Sequence, residues 1–297
     1  MPSPTPSQPR YLAALREIYL HSSPEHGIYL GDPTAHGKTR WLPMEGAGAD
    51  GHVLATHGDD DEALSPASLL AVLRITSEDN WTIPDGNWKG PRAFTKHFAD
   101  VKLTCTGAQP PSGVFRGDYS HVVENLKRIQ DMIAVAGCEK KKGLLVRSKH
   151  GDPSGGLKVK FQHALFEVRF LTTIAILVDQ PRWNIDNWPA TTEKAKRELE
   201  AMRTTHIVDP LPLYDFQARL VHPELCKKSL IGATVEVTFN LCHWHFNRNN
   251  KDVYVAYIDK MHILPVPAQV LSLPGKIRSD HKVEPPTLPR DRVALRK

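Results

Sequence analysis

Two long stretches towards the C-terminus alternate in the manner of a half-buried β-hairpin. From Ala233 to Phe246, the apolar residues Val235, Val237, Phe239 and Leu241 alternate with Glu236, Thr238 and Asn240. Asn247–Asp252 then supplies turn formers, and Val253–Leu264 returns as a second strand. Side chains two positions apart on a strand share a face, so one face of this hairpin needs a cover from elsewhere in the chain. The chain has 297 residues, of which 40% are hydrophobic, enough to provide that cover and to exclude wholesale disorder.

The other elements follow from the same kind of spacing. Leu12, Leu15 and Tyr19 predict a short helix over Arg10–Tyr19, and His21–Glu62 is read as loops with short extended pieces. Ser65 as N-cap, Pro66 at the first helical position, and Leu69, Leu70 and Leu73 predict a second short helix. Val122, Leu126, Ile129 and Ile133 recur at three- and four-residue steps in a helix that Ser120 should cap and Gly137 should stop. Leu157–Phe161 and Leu165–Val178 read as strands, and Thr192–Met202 as a charged helix inserted among them. The expected fold class is α+β, mainly β in the C-terminal half. The expected organisation is a disordered tail at 1–9, a loop-rich α/β N-terminal region at 10–115, a β domain with a leading helix at 116–265, and a basic proline-rich tail at 266–297.

Three segments have a recognisable layout: Leu211-Pro-Leu-Tyr-Asp through Arg219-Leu220, Gly232-Ala233-Thr234-Val235 through His243-Trp244, and Asp252–Leu264. Together they resemble the second half of the OB-type antiparallel barrel in phage and viral single-stranded DNA-binding proteins. They are also similar to the ends of a group of uncharacterised mushroom-lineage fungal proteins. The resemblance covers about residues 157–265. It implies an OB-like barrel and single-stranded DNA binding with little sequence preference. The chain departs from the pattern at Gln217-Ala218, where a turn glycine is expected, and in a long insert around 180–210.

Charge fits such a partner. The first hundred residues have eight Lys and Arg against thirteen Asp and Glu; the remainder has thirty against twenty. A basic C-terminal two-thirds is the footprint of a polyanion binder. Single strands are held by cations along the phosphates and by aromatic faces on which bases stack. Trp244 and Phe246 fall on the strand face opposite Val235 and Phe239, near Arg248 and Lys251, and Tyr254 on the returning strand is placed with them. Lys227 and Lys228 precede the Gly232 strand, while Arg182, Trp183 and Trp188 lie in the insert. The alternative for each aromatic is core packing, and for each lysine a solvated surface.

Catalytic signatures are missing. Gly31-Asp-Pro-Thr-Ala-His-Gly37-Lys38-Thr39 departs from a phosphate loop by placing Asp32 where the first glycine belongs. His243 and His245 share a strand face and could both reach one metal, with His222 or His206 as candidate further ligands; Cys242 points the other way. Asp59–Glu62 reads as a solvated acidic loop. Cys105, Cys138, Cys226 and Cys242 form no Cys-x-x-Cys pair, so no disulfide framework or zinc ribbon is expected. No apolar stretch has membrane-spanning length, that around Leu171–Val178 being far too short, and no secretory signal opens the chain. The expectation is therefore a non-enzymatic, intracellular and nuclear nucleic-acid-binding protein without a cofactor. The alternatives are a scaffold module that recruits a protein partner through the acidic N-terminal region or the basic tail and, third, a metal-dependent enzyme around His243 and His245. The sequence does not distinguish DNA from RNA.

Overall fold

The computed structural model describes residues 8–22, 27–44, 51–57, 66–92, 95–134, 138, 140–148, 156–168, 183–247 and 250–265. All of them belong to one compact unit, Met1–Val266.

The hairpin read from the sequence is the spine of the fold. β12 (Thr234–Phe246) and β13 (Lys251–Ile263) pair antiparallel from Val235↔Ile263 to Phe246↔Lys251, with an irregularity at Thr238/Phe239. Val235, Val237, Phe239, Leu241, His243 and His245 are buried, and the residues between them are partly exposed. Four further strands complete the arrangement around it: β3 (Gly51–Thr56), β4 (Leu69–Ile75), β5 (Lys102–Ala108) and β8 (Leu157–Ala164). β4 bonds β5 on one side and β12 on the other. β5 pairs with β8, and β8 with β13, so pairing runs β4–β5–β8–β13–β12 and returns to β4. β12 also pairs with β3, which is edged by β2 (Thr39–Pro43). Among the described residues, short strands complete an eleven-stranded sheet: β1 (Ile28–Tyr29), β6 (Lys140–Lys142), β7 (Leu145–Arg147) and β11 (Leu213–Tyr214). β9 (Phe166–Val168) and β10 (His206–Val208) form a separate antiparallel pair.

Four expectations change. The sheet is mixed rather than antiparallel, because β1–β4, β6–β13, β8–β13 and β11–β13 are parallel. The connection from β8 to the hairpin runs through α3 (Glu193–Met202) and α4 (Cys226–Leu230), and such a crossover allows strands to run in the same direction. The helix expected around Leu69–Leu73 is strand β4, buried at Leu69 through Leu73 and again at Ile75. A short continuous apolar run satisfies helical spacing by default, and burial on both faces made it a strand. The region before residue 115, expected to be loop-rich, contributes β1–β5 to the same sheet as the hairpin. The leading helix α2 (Phe115–Asp131) starts five residues before Ser120 and buries Phe115, Tyr119, Val122, Leu126 and Ile129. Ser120 lies inside it, its hydroxyl donating to the Gly117 carbonyl at 3.0 Å.

Other readings agree with the structure. α1 (Gln8–His21) covers the predicted N-terminal helix, although it starts inside the stretch assigned to the tail. α3 begins where Thr192 caps it, the Thr192 hydroxyl accepting the Ala195 amide at 3.2 Å. The strand expected over 165–178 is seen only as β9, since residues 169–182 lie outside the described residues, as does Gly137. Among the described residues no helix is long and apolar enough to cross a membrane. All four cysteines are free.

Candidate nucleic-acid interface

The period-2 pattern of β12 and β13 also fixes their outward face. Paired residues on adjacent strands project to the same side. Asn240, Tyr257, Gln162 and Thr104 therefore make one row across β12, β13, β8 and β5. Trp244, Val253 and Lys142 make another row, and Phe246, Lys251 and Lys140 a third. Lys160 shares the side of Gln162, two residues along β8, and Lys102 stands opposite Ala164 at the end of β5. Every one of these residues is at least partly exposed.

The centre of this face is an aromatic–cation group. The rings of Trp244 and Tyr257 meet edge-on at 81° with centroids 6.4 Å apart. The Lys102 ammonium donates to the Tyr257 hydroxyl at 3.1 Å and stands 5.1 Å from its ring centroid. Asp259 adds a carboxylate here, which accepts from the Asn240 side-chain amide at 2.8 Å.

The predicted residues are distributed as follows. Trp244 lies on this outward face, as do Phe246, which is 50% exposed, and Lys251. Tyr254 does not: it is fully buried and donates to the Gln130 carbonyl at 2.9 Å. The last carbonyls of a helix lack intrahelical partners, and α2 satisfies two of them through Tyr254 and through Trp41, whose indole donates to the Ile129 carbonyl at 2.9 Å. Strand alternation decides the matter, since Asp252, Tyr254, Ala256 and Ile258 point inward and Tyr257 outward. Sequence reasoning missed Tyr257 and Lys102 at the centre of this face, and Lys140, Lys142 and Lys160 around it. Counting alternation along β13 finds Tyr257, whereas Lys102 needed the pairing of β5 with β8.

Trp188 is also a core residue, 6% exposed, with its indole donating to the Pro84 carbonyl at 3.1 Å. The chain after it is fastened to the β4–β5 connection by Asp85, whose buried carboxylate accepts the amides of Thr191 and Thr192 and the Thr191 hydroxyl, each at 2.8 Å. Trp183 is partly buried, its ring 4.4 Å from that of His222. Lys228 is exposed, and Lys227 holds its ammonium 5.5 Å from the ring of Trp81 in the β4–β5 connection. Arg182 and Arg248 lie outside the described residues, as do Asp59–Glu62.

The remaining candidate motifs have structural roles. Lys38 pairs with Asp32 at 2.8 Å, and Asp32 also accepts from the Thr34 amide and hydroxyl. Burial opposes the charge on Asp32, but the bonds from Lys38 and Thr34 prevail and hold its carboxyl below the usual range. The loop is clamped to α2 by Asn125, which donates to the Leu30 and Asp32 carbonyls at 2.9 and 2.7 Å. The lysine that would face a phosphate is thus neutralised within its own loop. His243 and His245 are both buried, at 1% and 8% exposure.

No protein-family model matches the chain, and no curated protein matches it. Among solved structures it is similar to the single-stranded DNA-binding protein gp2.5 of bacteriophage T7, at 10% identity over 69% of this chain and 96% of that one, with a TM-score of 0.40. It is also similar to the single-stranded DNA-binding protein of bacteriophage Enc34 in complex with single-stranded DNA, at 8% identity over 76% of this chain and 96% of that one, with a TM-score of 0.33.

Proposed function

We propose that the chain binds single-stranded nucleic acid, DNA in the first place, without catalysis and with little sequence preference. The observation that carries this reading is the outward face of β5, β8, β13 and β12, where Trp244 and Tyr257 stand together with Lys102 and Lys160 alongside. Aromatic rings offer a stacking surface to any base, and lysines beside them meet the phosphates.

The five-strand circuit β4–β5–β8–β13–β12 is read as an OB-type Greek-key barrel. Barrels of that type bind oligonucleotides on the face of their second and third strands and on the loops joining strands one to two and four to five. The corresponding parts here are β5 and β8, the β4–β5 connection that holds Trp81, and the β12–β13 turn. Lys140, Lys142 and Lys251 extend the cationic track along the end of the hairpin.

Fluorescence polarisation of a labelled oligothymidylate tests the reading. Affinity should fall steeply with salt as counterions are released. Trp244→Ala and Tyr257→Ala should each weaken binding by about 1–3 kcal/mol, the worth of one stacked base. Replacing Lys102 and Lys160 with Gln should reduce the salt slope by about 1 for each phosphate that is no longer neutralised. Tyr254→Phe should leave affinity alone, since that side chain is buried. Failure to bind at low salt, or indifference to both aromatic substitutions, overturns the reading. Retention of a protein partner without oligonucleotide binding would support the scaffold alternative.

A further inference from the structure

The inward side of the same hairpin end holds a cluster of ionisable side chains facing away from the proposed binding face. Asp252, fully buried on β13, stands opposite His245 on β12. One of its oxygens, Oδ1, lies 2.9 Å from His245 Nδ1 and 3.0 Å from His243 Nε2. Cys138, in the segment after α2, brings its thiol to the same place: Cys138 Sγ, a His245 ring nitrogen and an Asp252 oxygen all lie within 4.8 Å of one another. Two imidazole nitrogens next to this cluster have no hydrogen-bond partner among the described residues. They are Nδ1 of His243 and Nδ1 of His52, a β3 residue that pairs with His243 and whose ring lies 5.6 Å from it.

We propose that Cys138, His245 and Asp252 bind a zinc ion, and that His243, whose Nε2 already lies 3.0 Å from Asp252 Oδ1, turns in as the fourth donor. A thiolate, two imidazoles and a carboxylate form a borderline-soft donor set that suits Zn²⁺ in a closed tetrahedral site. Nitrogen and oxygen ligands on one such ion stand about 3.4 Å apart, given metal–ligand distances of about 2.1 Å. The observed separations of 2.9 and 3.0 Å need to widen by only about 0.4–0.5 Å to admit it. With His243 as the fourth donor no coordination position stays open, so the ion would be structural. It would tie the chain after α2 to the β12–β13 hairpin, and the Cys138 thiol releases its proton on binding. The sequence placed His243 and His245 on one face but offered only His206 and His222 as helpers. The fold supplies Asp252 from the facing strand and Cys138 from the segment after α2.

The experiment uses the full chain stripped with a chelator and contains no nucleic acid, so its result is independent of the binding reading above. Zinc uptake is measured by competition with a chromophoric chelator, and Co²⁺ is used as the spectroscopic probe. One equivalent of metal per chain is expected, with a thiolate-to-cobalt charge-transfer band and a rise in Tm on zinc addition. Cys138→Ser should abolish that band and weaken zinc binding by about 100-fold or more. Cys242→Ser, on the opposite face, should change neither. His245→Gln should also lose the metal; should that variant fail to fold, the Cys138 result stands alone, because Cys138 lies outside the buried core. Absence of stoichiometric uptake, or uptake that Cys138→Ser leaves unchanged, overturns the proposal.

Discussion

Ala218 holds a backbone φ of 59° in the turn between Asp215 and Arg219. The turn is closed by the Ala218 amide on the Asp215 carbonyl and the Asp215 amide on the Arg219 carbonyl, each at 2.9 Å. A side chain in this left-handed region costs about 1–2 kcal/mol that glycine avoids, while glycine adds about 0.4–1 kcal/mol of unfolded-state entropy. Ala218→Gly should therefore stabilise the chain by about 0.5 kcal/mol, read as a raised urea midpoint at constant m-value. The position is the one at which the sequence pattern called for glycine, so a local departure was legible before the conformation was. Tyr254 and Tyr257 show where local reading stops. Both are tyrosines on one strand, and only the parity of their positions separates a buried partner of α2 from an exposed surface ring.

At the scale of elements, α1 depends on very few residues. Asp118 on α2 accepts two bonds from the Arg16 guanidinium, at 2.7 and 2.9 Å, and one from the Tyr29 hydroxyl at 2.7 Å. Around this group Leu12, Tyr19, Tyr29, Leu70, Val72, Phe115 and Leu264 form an apolar cluster of their own, and Tyr19 donates to Glu236 on β12. Burial raises the Tyr29 hydroxyl well above its usual range, and the bond to Asp118 raises it further, so it remains a donor at any neutral pH. Asp118→Ala should strand the Tyr29 hydroxyl and remove the docking point of Arg16, costing about 2–3 kcal/mol. Hydrogen exchange should show α1 losing protection first while β12 and β13 keep theirs. Uniform loss of protection over all three would contradict this picture. Amphipathic spacing disclosed α1, but a carboxylate 102 residues away in sequence holds it in place.

Across the whole molecule, β4 joins the two parts of the chain. It bonds β5 and β12 at once, and Leu69, Leu73 and Ile75 sit fully buried in the main core. Leu73 packs its δ-carbons directly over Gly107 of β5, where a Cβ would come within 2.6 Å of one of them. Leu73→Ala should cost about 3–5 kcal/mol. Unfolding should nevertheless remain a single transition, with far-ultraviolet circular dichroism and tryptophan fluorescence moving together, because strands from both sides of residue 115 share one sheet. Two separated transitions would show that the N-terminal strands form an independent unit. The sequence by itself determined the hairpin, the inward face of its first strand, and the helices at α1, α2 and α3. Those follow from periodicities of 2 and 3.6 residues, which are properties of short segments. The tertiary structure decided that Leu69–Ile75 is a strand, that Trp188 is core, that Trp244 stays outside, that Lys102 joins Tyr257, and that Cys138 meets His245 and Asp252. Each of these depends on which distant segments pair across a strand edge or pack against a face, and hydrogen bonding and burial between distant segments are not encoded in any local window.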